Sequence, residues 1–315
     1  SILQIDASMD SDGQIKFSSS GGSGRRRPTV DTKPDDVALV LHTSGTTSQP
    51  KRVPLTHRNL TISAQNVAET YKLSPDDTSL CIMPLFHVHG IVASTLATLL
   101  TGGTVIVPPR FNALNFWNVV RKHRVTWFSA VPSMHQALLN RASRRESADI
   151  NYDGLRFIRS CSAALSRSTM LEMEENFGVP MLEAYGMTEA AHQMTSNPLP
   201  PGARFPGTVG KGTGVRVGIM NKDGILEGIG TQGEVVIQGP NVIQGYEDNP
   251  EANDTSFTNG WFRTGDRGFL DGEGVLTLSG RIKELINRSG EKISPVEIDD
   301  VLLMHSAVSE SVAFG

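Results

Sequence analysis

Cysteine is nearly missing from this chain: Cys81 and Cys161 are the only two in 315 residues. Neither belongs to a CxxC pair or a Cys/His cluster. A disulfide scaffold and a zinc module of the usual spacing are thereby excluded, and two buried, reduced thiols are expected. Long apolar runs are missing too; none approaches the ~20 residues a helix needs to cross a bilayer. Charge of one sign is not in excess. Lys and Arg number 29 against 33 Asp and Glu, for a net charge of −4. With no basic stripe along any segment, a nucleic-acid partner is disfavoured. Arg25, Arg26 and Arg27 do stand together, but beside Ser/Gly-rich sequence, where a solvated linker is the expectation. The start carries Asp6, Asp10 and Asp12 in place of signal-peptide features and lacks an initiator Met. The last residues, Ala313, Phe314 and Gly315, directly follow an apolar run. Both ends read as cuts, so a piece of a longer protein is expected.

What is present is a pattern that changes along the chain. Residues 1–36 are polar and Ser/Gly-rich at their centre, which reads as a linker or N-terminal remnant with a short strand near Ile15, Lys16 and Phe17. From 37 to 197, apolar strand-like runs at 37–42, 79–83, 104–107, 126–130, 155–160 and 180–185 alternate with helical patterns near 58–71, 91–100, 114–123, 132–141 and 166–177. Apolar runs separated by helices describe βαβ units, an α/β subdomain with a parallel sheet covered on both faces. Ligands in such sheets sit beyond the carboxyl ends of the strands, which points to the loops after His42, Met83, Ser160 and Tyr185. Between 198 and 280 glycine crowds in, and short strands at 215–220, 234–238 and 275–279 are separated by turns such as Asn221-Lys222-Asp223-Gly224. That predicts an antiparallel, barrel-like subdomain. Residues 281–315 carry a hairpin-like piece around Arg288, Ser289 and Gly290, then Ser294-Pro295-Val296-Glu297, a helix start with Pro in its first turn. A helix to about Met304 and a final strand are expected there, as the start of a small α+β domain.

Several stretches carry chemistry. Thr43, Ser44, Gly45, Thr46, Thr47, Ser48, Gln49, Pro50 and Lys51 lie between a predicted strand and a predicted helix. Such a loop can turn N–H groups, hydroxyls and an ammonium toward an anion, though an ordinary polar loop is the competing reading. It is not a Walker A loop, since no second glycine precedes Lys51 and Arg52 stands where Ser or Thr would hold Mg²⁺. His87 and His89 follow another strand at i and i+2; they are either structural or substrate-facing, and no third residue has metal-ligand spacing. Ser162, Ala163 and Ala164 form either a tight turn or a shelf for a flat ring. The run Glu183, Ala184, Tyr185, Gly186, Met187, Thr188, Glu189 offers a ring face, a turn, a hydroxyl and a carboxylate. A lone carboxylate suits Mg²⁺, which takes one or two protein oxygens beside phosphate oxygens. His192, taken alone, reads as structural. Asp266 is either a turn cap or an acceptor for ribose hydroxyls, and Gly280-Arg281-Ile282-Lys283-Glu284 would by itself be a charged linker.

In this order the stretches resemble the adenylate-forming superfamily of acyl-CoA synthetases, luciferases and peptide-synthetase adenylation domains, from about Val37 to the end. The resemblance implies an ATP-dependent acid–CoA ligase that forms an acyl-adenylate and then an acyl-CoA, using ATP, Mg²⁺ and coenzyme A. It implies that Thr43, Ser44, Gly45, Thr46, Thr47, Ser48 and Lys51 hold ATP phosphates. It makes Ser162, Ala163 and Ala164 the adenine shelf, and Glu183, Ala184, Tyr185, Gly186 and Met187 the strand along the nucleotide, with Tyr185 stacking on adenine. Thr188 would contact the α-phosphate, Glu189 would hold Mg²⁺, and Asp266 with Arg281 would meet the ribose. Lys283 falls at the interdomain hinge, and Ser289, Gly290 and Glu291 in the loop of the thioester step. Within the superfamily, the runs from Pro84 to Gly90, Arg159 to Ala163, Met187 to His192 and Gly280 to Arg288 are similar to oxalate–CoA ligases of plants and fungi. That likeness implies an acid pocket of His87, His89, Ser162 and His192, and sets His87 beside Thr188 and Glu189 in the catalytic group. Hydrogen-bond donors suit a small dianion, whereas a fatty acid needs a long apolar tunnel. Ser48, Arg52 and Ser289 replace glycines common in the superfamily, and Arg52 has no assigned role. The superfamily's catalytic lysine falls beyond Gly315, so this stretch alone is expected to be impaired. Ligases for an aryl propenoate, malonate or a medium-chain fatty acid compete with this reading, as does a nucleotide-binding module without catalysis. A kinase is disfavoured. The expected setting is the cytoplasm, or the peroxisome if an address tripeptide follows.

Overall fold

The computed structural model describes residues 4–9, 15–20, 31–43, 50–142, 154–288, 291–303, 305, 307–308 and 311–315. The chain divides into two units, Ser1–Lys33 and Pro34–Gly315. In the first, β1 (Gln4–Met9) pairs antiparallel with β2 (Ile15–Ser20), so the strand expected near Ile15 is present and has a partner.

The second unit departs from expectation at its first strand. β3 (Val37–Thr43) does not enter the parallel sheet; it pairs antiparallel with β4 (Lys51–Thr56) in a two-stranded ribbon. The polar loop therefore joins two strands, not a strand and a helix. The physical reason lies in β4, where Val53 and Leu55 alternate with Arg52 and Pro54 and are themselves fully buried. Period-two burial makes a strand of a segment that had read as the lead-in to a helix. The helix α1 (His57–Thr70) starts only after Thr56, whose hydroxyl accepts from the Asn59 N–H while the Asn59 side chain accepts from the Thr56 N–H. This reciprocal cap satisfies two donors that a helix start leaves open.

The main sheet has seven strands. Five are parallel: β5 (Thr78–Cys81), β6 (Thr104–Ile106), β7 (Trp127–Ala130), β8 (Phe157–Ser160) and β9 (Met181–Met187). They lie in the order β9-β8-β7-β5-β6, and β10 (His192–Ser196) and β11 (Lys211–Gly212) extend the β9 edge antiparallel. Successive strand residues point to opposite faces. Trp127 and Phe157 accordingly pack in one core with α1, whereas Phe128 and Ile158 pack in a second with α3 (Phe116–Lys122), α4 (Pro132–Ala142) and α5 (Arg167–Phe177). The first core also receives the π-helical segment His89–Leu96, which runs into α2 (Ala97–Leu100). Gly90 opens that segment against the preceding loop; a Cβ there would stand 2.3 Å from the Pro84 carbonyl oxygen. Only glycine lets the helix start so close.

Register then decides which polar groups meet. Cys81 pairs with Ser129, and Ser129 with Arg159. These residues share a face with Trp127 and Phe157, so Arg159 is carried into the α1 side of the sheet.

One buried group on the opposite face makes stability depend on pH. His135 on α4 is fully buried, neither ring nitrogen makes a hydrogen bond of normal geometry, and its ring centroid lies 6.0 Å from that of Phe128. Burial lowers its pKa from 6.5 to about 4, against a small opposing effect of the Arg159 and Ala130 backbone. A depressed histidine contributes stability that is fully present above pH 6.5 and is lost as pH falls through about 4. The loss expected over that window is about 3 kcal/mol. Chemical denaturation between pH 7 and 4.5 measures it. In His135→Leu the slope should flatten, and an unaltered slope would locate the acid sensitivity elsewhere.

After Asn197 the chain builds an antiparallel half-barrel sheet. β12 (Arg216–Met220) pairs with β13 (Gly233–Gln238), and β13 with the long β15 (Trp261–Leu270). β14 (Phe257–Thr258) and β16 (Leu276–Arg281) share the other edge of β15. A helix not anticipated from the pattern, α6 (Pro250–Ser256), is capped by Asn249. The last segment holds β17 (Ile286–Arg288) and β18 (Glu291–Ile293) as a hairpin, then α7 (Pro295–Leu303). The expected final strand does not form among the described residues. Asp299 instead accepts from the Ser311 hydroxyl and the Ala313 N–H, which removes that N–H from any ladder.

Candidate active site

Arg159 is the centre of a buried polar cluster on the α1 side of the sheet, at the C-terminal halves of β7 and β8. It has no exposed surface. Its Nε donates to the Tyr71 hydroxyl at 2.7 Å and Nη1 to Ser129 Oγ at 2.9 Å. Nη2 donates to His192 Nε2 at 2.9 Å and to Gln193 Oε1 at 3.0 Å. None of these partners is a carboxylate. His89 lies alongside, its Nε2 2.6 Å from Ser129 Oγ and its Nδ1 3.0 Å from Ser162 Oγ. The rings of His89 and His192 stack at 5.1 Å. Burial, and after it the Arg159 charge, lower the pKa of both histidines well below 6.5.

Of the four residues assigned to the acid pocket, three converge: His89, Ser162 and His192. His87 is at its edge, an exposed side chain whose Nδ1 accepts from the His89 N–H. Ser162 and His192 both adopt left-handed backbone, with φ of 74° and 113°. Non-glycine residues rarely do so, and each costs ~1–3 kcal/mol that the surrounding structure must offset. Gly186 makes the second conformation possible. A Cβ on Gly186 would stand 2.0 Å from the His192 carbonyl oxygen.

A second group joins the main sheet to the half-barrel. Tyr185, at the end of β9, donates to Asp266 Oδ2, and Arg281 pairs with Asp266 Oδ1 at 2.9 Å. Burial raises the pKa of Tyr185 well above 10 and raises that of Asp266, the latter against the pull of Arg281. Ser162, Ala163 and Ala164 are exposed. The Glu183 carboxylate accepts from the Leu165 N–H and fixes the start of that turn; Ala184 is buried, and Gly186 and Met187 are half-buried.

The third group gathers around Glu189. Its buried carboxylate accepts from the Tyr246 hydroxyl at 2.8 Å, and Lys51 Nζ lies 4.6 Å from the Tyr246 ring centroid. No other donor reaches the Glu189 carboxylate among the described residues, so an oxygen is left for a hard cation. No group of three or more His, Cys, Asp or Glu side chains forms a metal array among those residues. Thr188, just before it, is half-buried at the start of a short 3₁₀ turn.

Thr43 and Lys51 flank the polar loop, and Ser44, Gly45, Thr46, Thr47 and Ser48 lie outside the described residues, as do Ser289 and Gly290. Glu291 opens β18, and Lys283 is exposed in a 3₁₀ turn after β16. Arg52, unexplained from the sequence, now has partners. It pairs with Glu247 at 2.8 Å and Asp248 at 3.2 Å, and its carbonyl accepts from the Glu247 N–H. It ties β4 to the segment that carries Tyr246.

The sequence matches the AMP-binding enzyme family over residues 2–247. The chain belongs to that family. It is 53% identical over 285 residues to an oxalate–CoA ligase of Arabidopsis thaliana, covering 90% of this chain and 55% of the relative. To the oxalate–CoA ligase of Saccharomyces cerevisiae it is 52% identical over 282 residues, covering 89% and 51%. Among solved structures, ATP-bound MatB from Rhodopseudomonas palustris superposes with a TM-score of 0.84 at 33% identity, covering 91% of this chain and 56% of that one. The chain spans about half the length of the curated relatives it matches. No helix among the described residues is long and apolar enough to cross a membrane.

For a member of the AMP-binding family, sequence reasoning left out several residues of these clusters. Tyr71, Ser129, Gln193 and Tyr246 had no signal: Ser129 is one small polar residue in an apolar strand, and the other three stand in mixed polar sequence with no motif around them. Arg159 had one. It is a charge inside a run of strand residues buried on both faces, and such a charge must find partners.

Proposed function

We propose that the full-length protein is an ATP-dependent acid–CoA ligase whose acid is oxalate. The observation that carries the acid assignment is the cluster around Arg159. It offers neutral imidazoles, a hydroxyl and a buried cation, which suit a small dianion and would leave a hydrocarbon chain without apolar contacts. Identity to oxalate–CoA ligases of a plant and a yeast supports the same choice.

A carboxylate is a poor electrophile, so one oxygen of the acid attacks the α-phosphorus of ATP and pyrophosphate leaves. The CoA thiol then attacks the acyl carbon, AMP departs, and the thiol proton passes to solvent. Stabilisation of the charge on the phosphate oxygens comes from positioned donors. Thr188 takes the α-phosphate, while Lys51 and the hydroxyls of Thr43, Ser44, Thr46, Thr47 and Ser48 hold the leaving phosphates together with the Gly45 backbone. Glu189 holds Mg²⁺, which when bound neutralises phosphate charge. Tyr185 packs against the adenine over the 162–164 shelf, and Asp266 with Arg281 receives the ribose hydroxyls. Lys283 serves as the hinge between the two half-reactions, and Ser289, Gly290 and Glu291 line the CoA step. The cytoplasm is the proposed compartment, with the peroxisome as the alternative.

The test is a pyrophosphate-release assay on the full-length protein with oxalate, malonate, an aryl propenoate and a medium-chain fatty acid. Oxalate should give the highest kcat/KM. A higher value for malonate would shift the assignment to a longer dianion, and a preference for either apolar acid would overturn it.

A further inference from the structure

The polar cluster contains more order than its distances alone express. Arg159 can only donate, because a guanidinium has no acceptor. His192 Nε2, 2.9 Å from Nη2, must therefore be the bare nitrogen, and the ring's single proton sits on Nδ1. The same logic passes through Ser129. Its Oγ accepts from Arg159 Nη1 at 2.9 Å, and its own proton faces His89 Nε2 at 2.6 Å. Arg159 Nη1 also lies 3.5 Å from that nitrogen. His89 Nε2 is thus an acceptor, and its Nδ1–H donates to Ser162 Oγ at 3.0 Å.

Two donors of the cluster remain unused, one on exposed Ser162 and one on His192, which is buried. No protein group takes the His192 Nδ1 proton or the Ser162 hydroxyl proton among the described residues. Ser162 is exposed, so its proton is available to a ligand.

We propose that Arg159 is the positioning residue for the acid: from beneath the pocket it holds His192, and through Ser129 holds His89, as neutral Nδ1–H tautomers, so that His192 and Ser162 present their free protons to a carboxylate. The inference rests on the acid–CoA ligase reading and adds the source of its charge preference. The pocket's positive charge comes from a buried, permanently protonated guanidinium and not from an imidazolium. Because that charge has no carboxylate partner among the described residues, it is left to act on the substrate. A second acidic group on the substrate then gains from the field, which is how a dianion is favoured over a monoanion of similar size.

The groups that face the two imidazoles are Arg159 on β8, His87 in the preceding loop and His135 on α4, with each imidazole facing the other. All but Arg159 are neutral near pH 7 or lowered by burial, so nothing nearby favours protonation of the pair.

Two measurements on the full-length protein test this. The first is ¹⁵N NMR of the imidazole nitrogens in the unsubstituted protein, with no ligand and no turnover. His89 and His192 should both be neutral with the proton on Nδ1 from pH 6 to 8. An Nε2–H tautomer or an imidazolium at pH 7 overturns the proposal. The second compares Arg159→Gln and Arg159→Lys in pyrophosphate release with oxalate. Gln should raise the KM for the acid about 10- to 100-fold while the KM for ATP stays within about threefold. Lys should recover part of the loss by restoring the charge. An acid KM unchanged in a folded Gln variant overturns the proposal. If Gln does not fold, the tautomers of the unsubstituted protein decide. If the unsubstituted protein ignores oxalate yet shows both Nδ1–H tautomers, the substrate assignment fails and the role of Arg159 stands for another acid.

Discussion

Glu189→Gln slows adenylate formation on the order of 10²- to 10³-fold. The substitution is nearly isosteric, and it keeps an acceptor for the Tyr246 hydroxyl, which now donates to the Glu189 carboxylate at 2.8 Å. Tyr246 stays a donor throughout the working range, because burial and then the neighbouring carboxylate raise its pKa. The fold around the 3₁₀ turn therefore persists, and what is removed is one negative charge. A hard divalent cation prefers anionic oxygen to an amide carbonyl, so Mg²⁺ should have to be supplied at higher concentration to reach the same rate. Isotope exchange between pyrophosphate and ATP reads this step without the CoA reaction. Exchange at the unsubstituted rate, with an unaltered Mg²⁺ requirement, would take Glu189 out of the metal site.

His192→Ala raises the KM for oxalate by the loss of one charge-assisted hydrogen bond, ~1.5–3 kcal/mol, or about 10- to 100-fold. The KM for ATP should hardly move, since Tyr185, Asp266 and Arg281, the residues proposed to meet the nucleotide, form a separate group. Part of the effect has a second origin. Arg159 Nη2 loses one of its two acceptors and keeps Gln193 Oε1. His192→Asn separates the two causes, because an amide offers both an acceptor toward Arg159 and a donor toward the acid. A smaller rise in Asn than in Ala is expected. An oxalate KM unchanged in Ala removes His192 from the acid site.

The two substitutions read different parts of a site that the sequence made legible to different degrees. The strands and helices of the α/β part were visible because apolar runs and 3.6-residue patterns are local properties. β7, β8 and β9 form close to where residues 126–130, 155–160 and 180–185 predict them, and α5 is capped by Ser166. The error at residues 37–56 had a definite cause. A polar loop between an apolar run and a helix looks the same whether the next residues start the helix or first complete a hairpin. The alternation of Val53 and Leu55 with Arg52 and Pro54 was the only cue, over four residues.

Composition and motif order by themselves determined the class of this chain: an α/β unit with an antiparallel β unit after it, carrying the run from Glu183 to Glu189 and the hydroxyl-rich loop near Lys51. The resemblance that those motifs carry placed His87, His89, Ser162 and His192 among the residues to watch. Tertiary structure alone decided how those residues act. Arg159, Ser129 and Tyr71 come from β8, β7 and the end of α1, 88 positions apart at the extremes, and only parallel register brings them together. Arg52 likewise gained a role only when the chain returned 196 positions later with Asp248. Hydrogen-bond direction is the physical reason. Which nitrogen of an imidazole bears its proton depends on the donor that stands opposite, and the neighbours that decide this are distant in sequence.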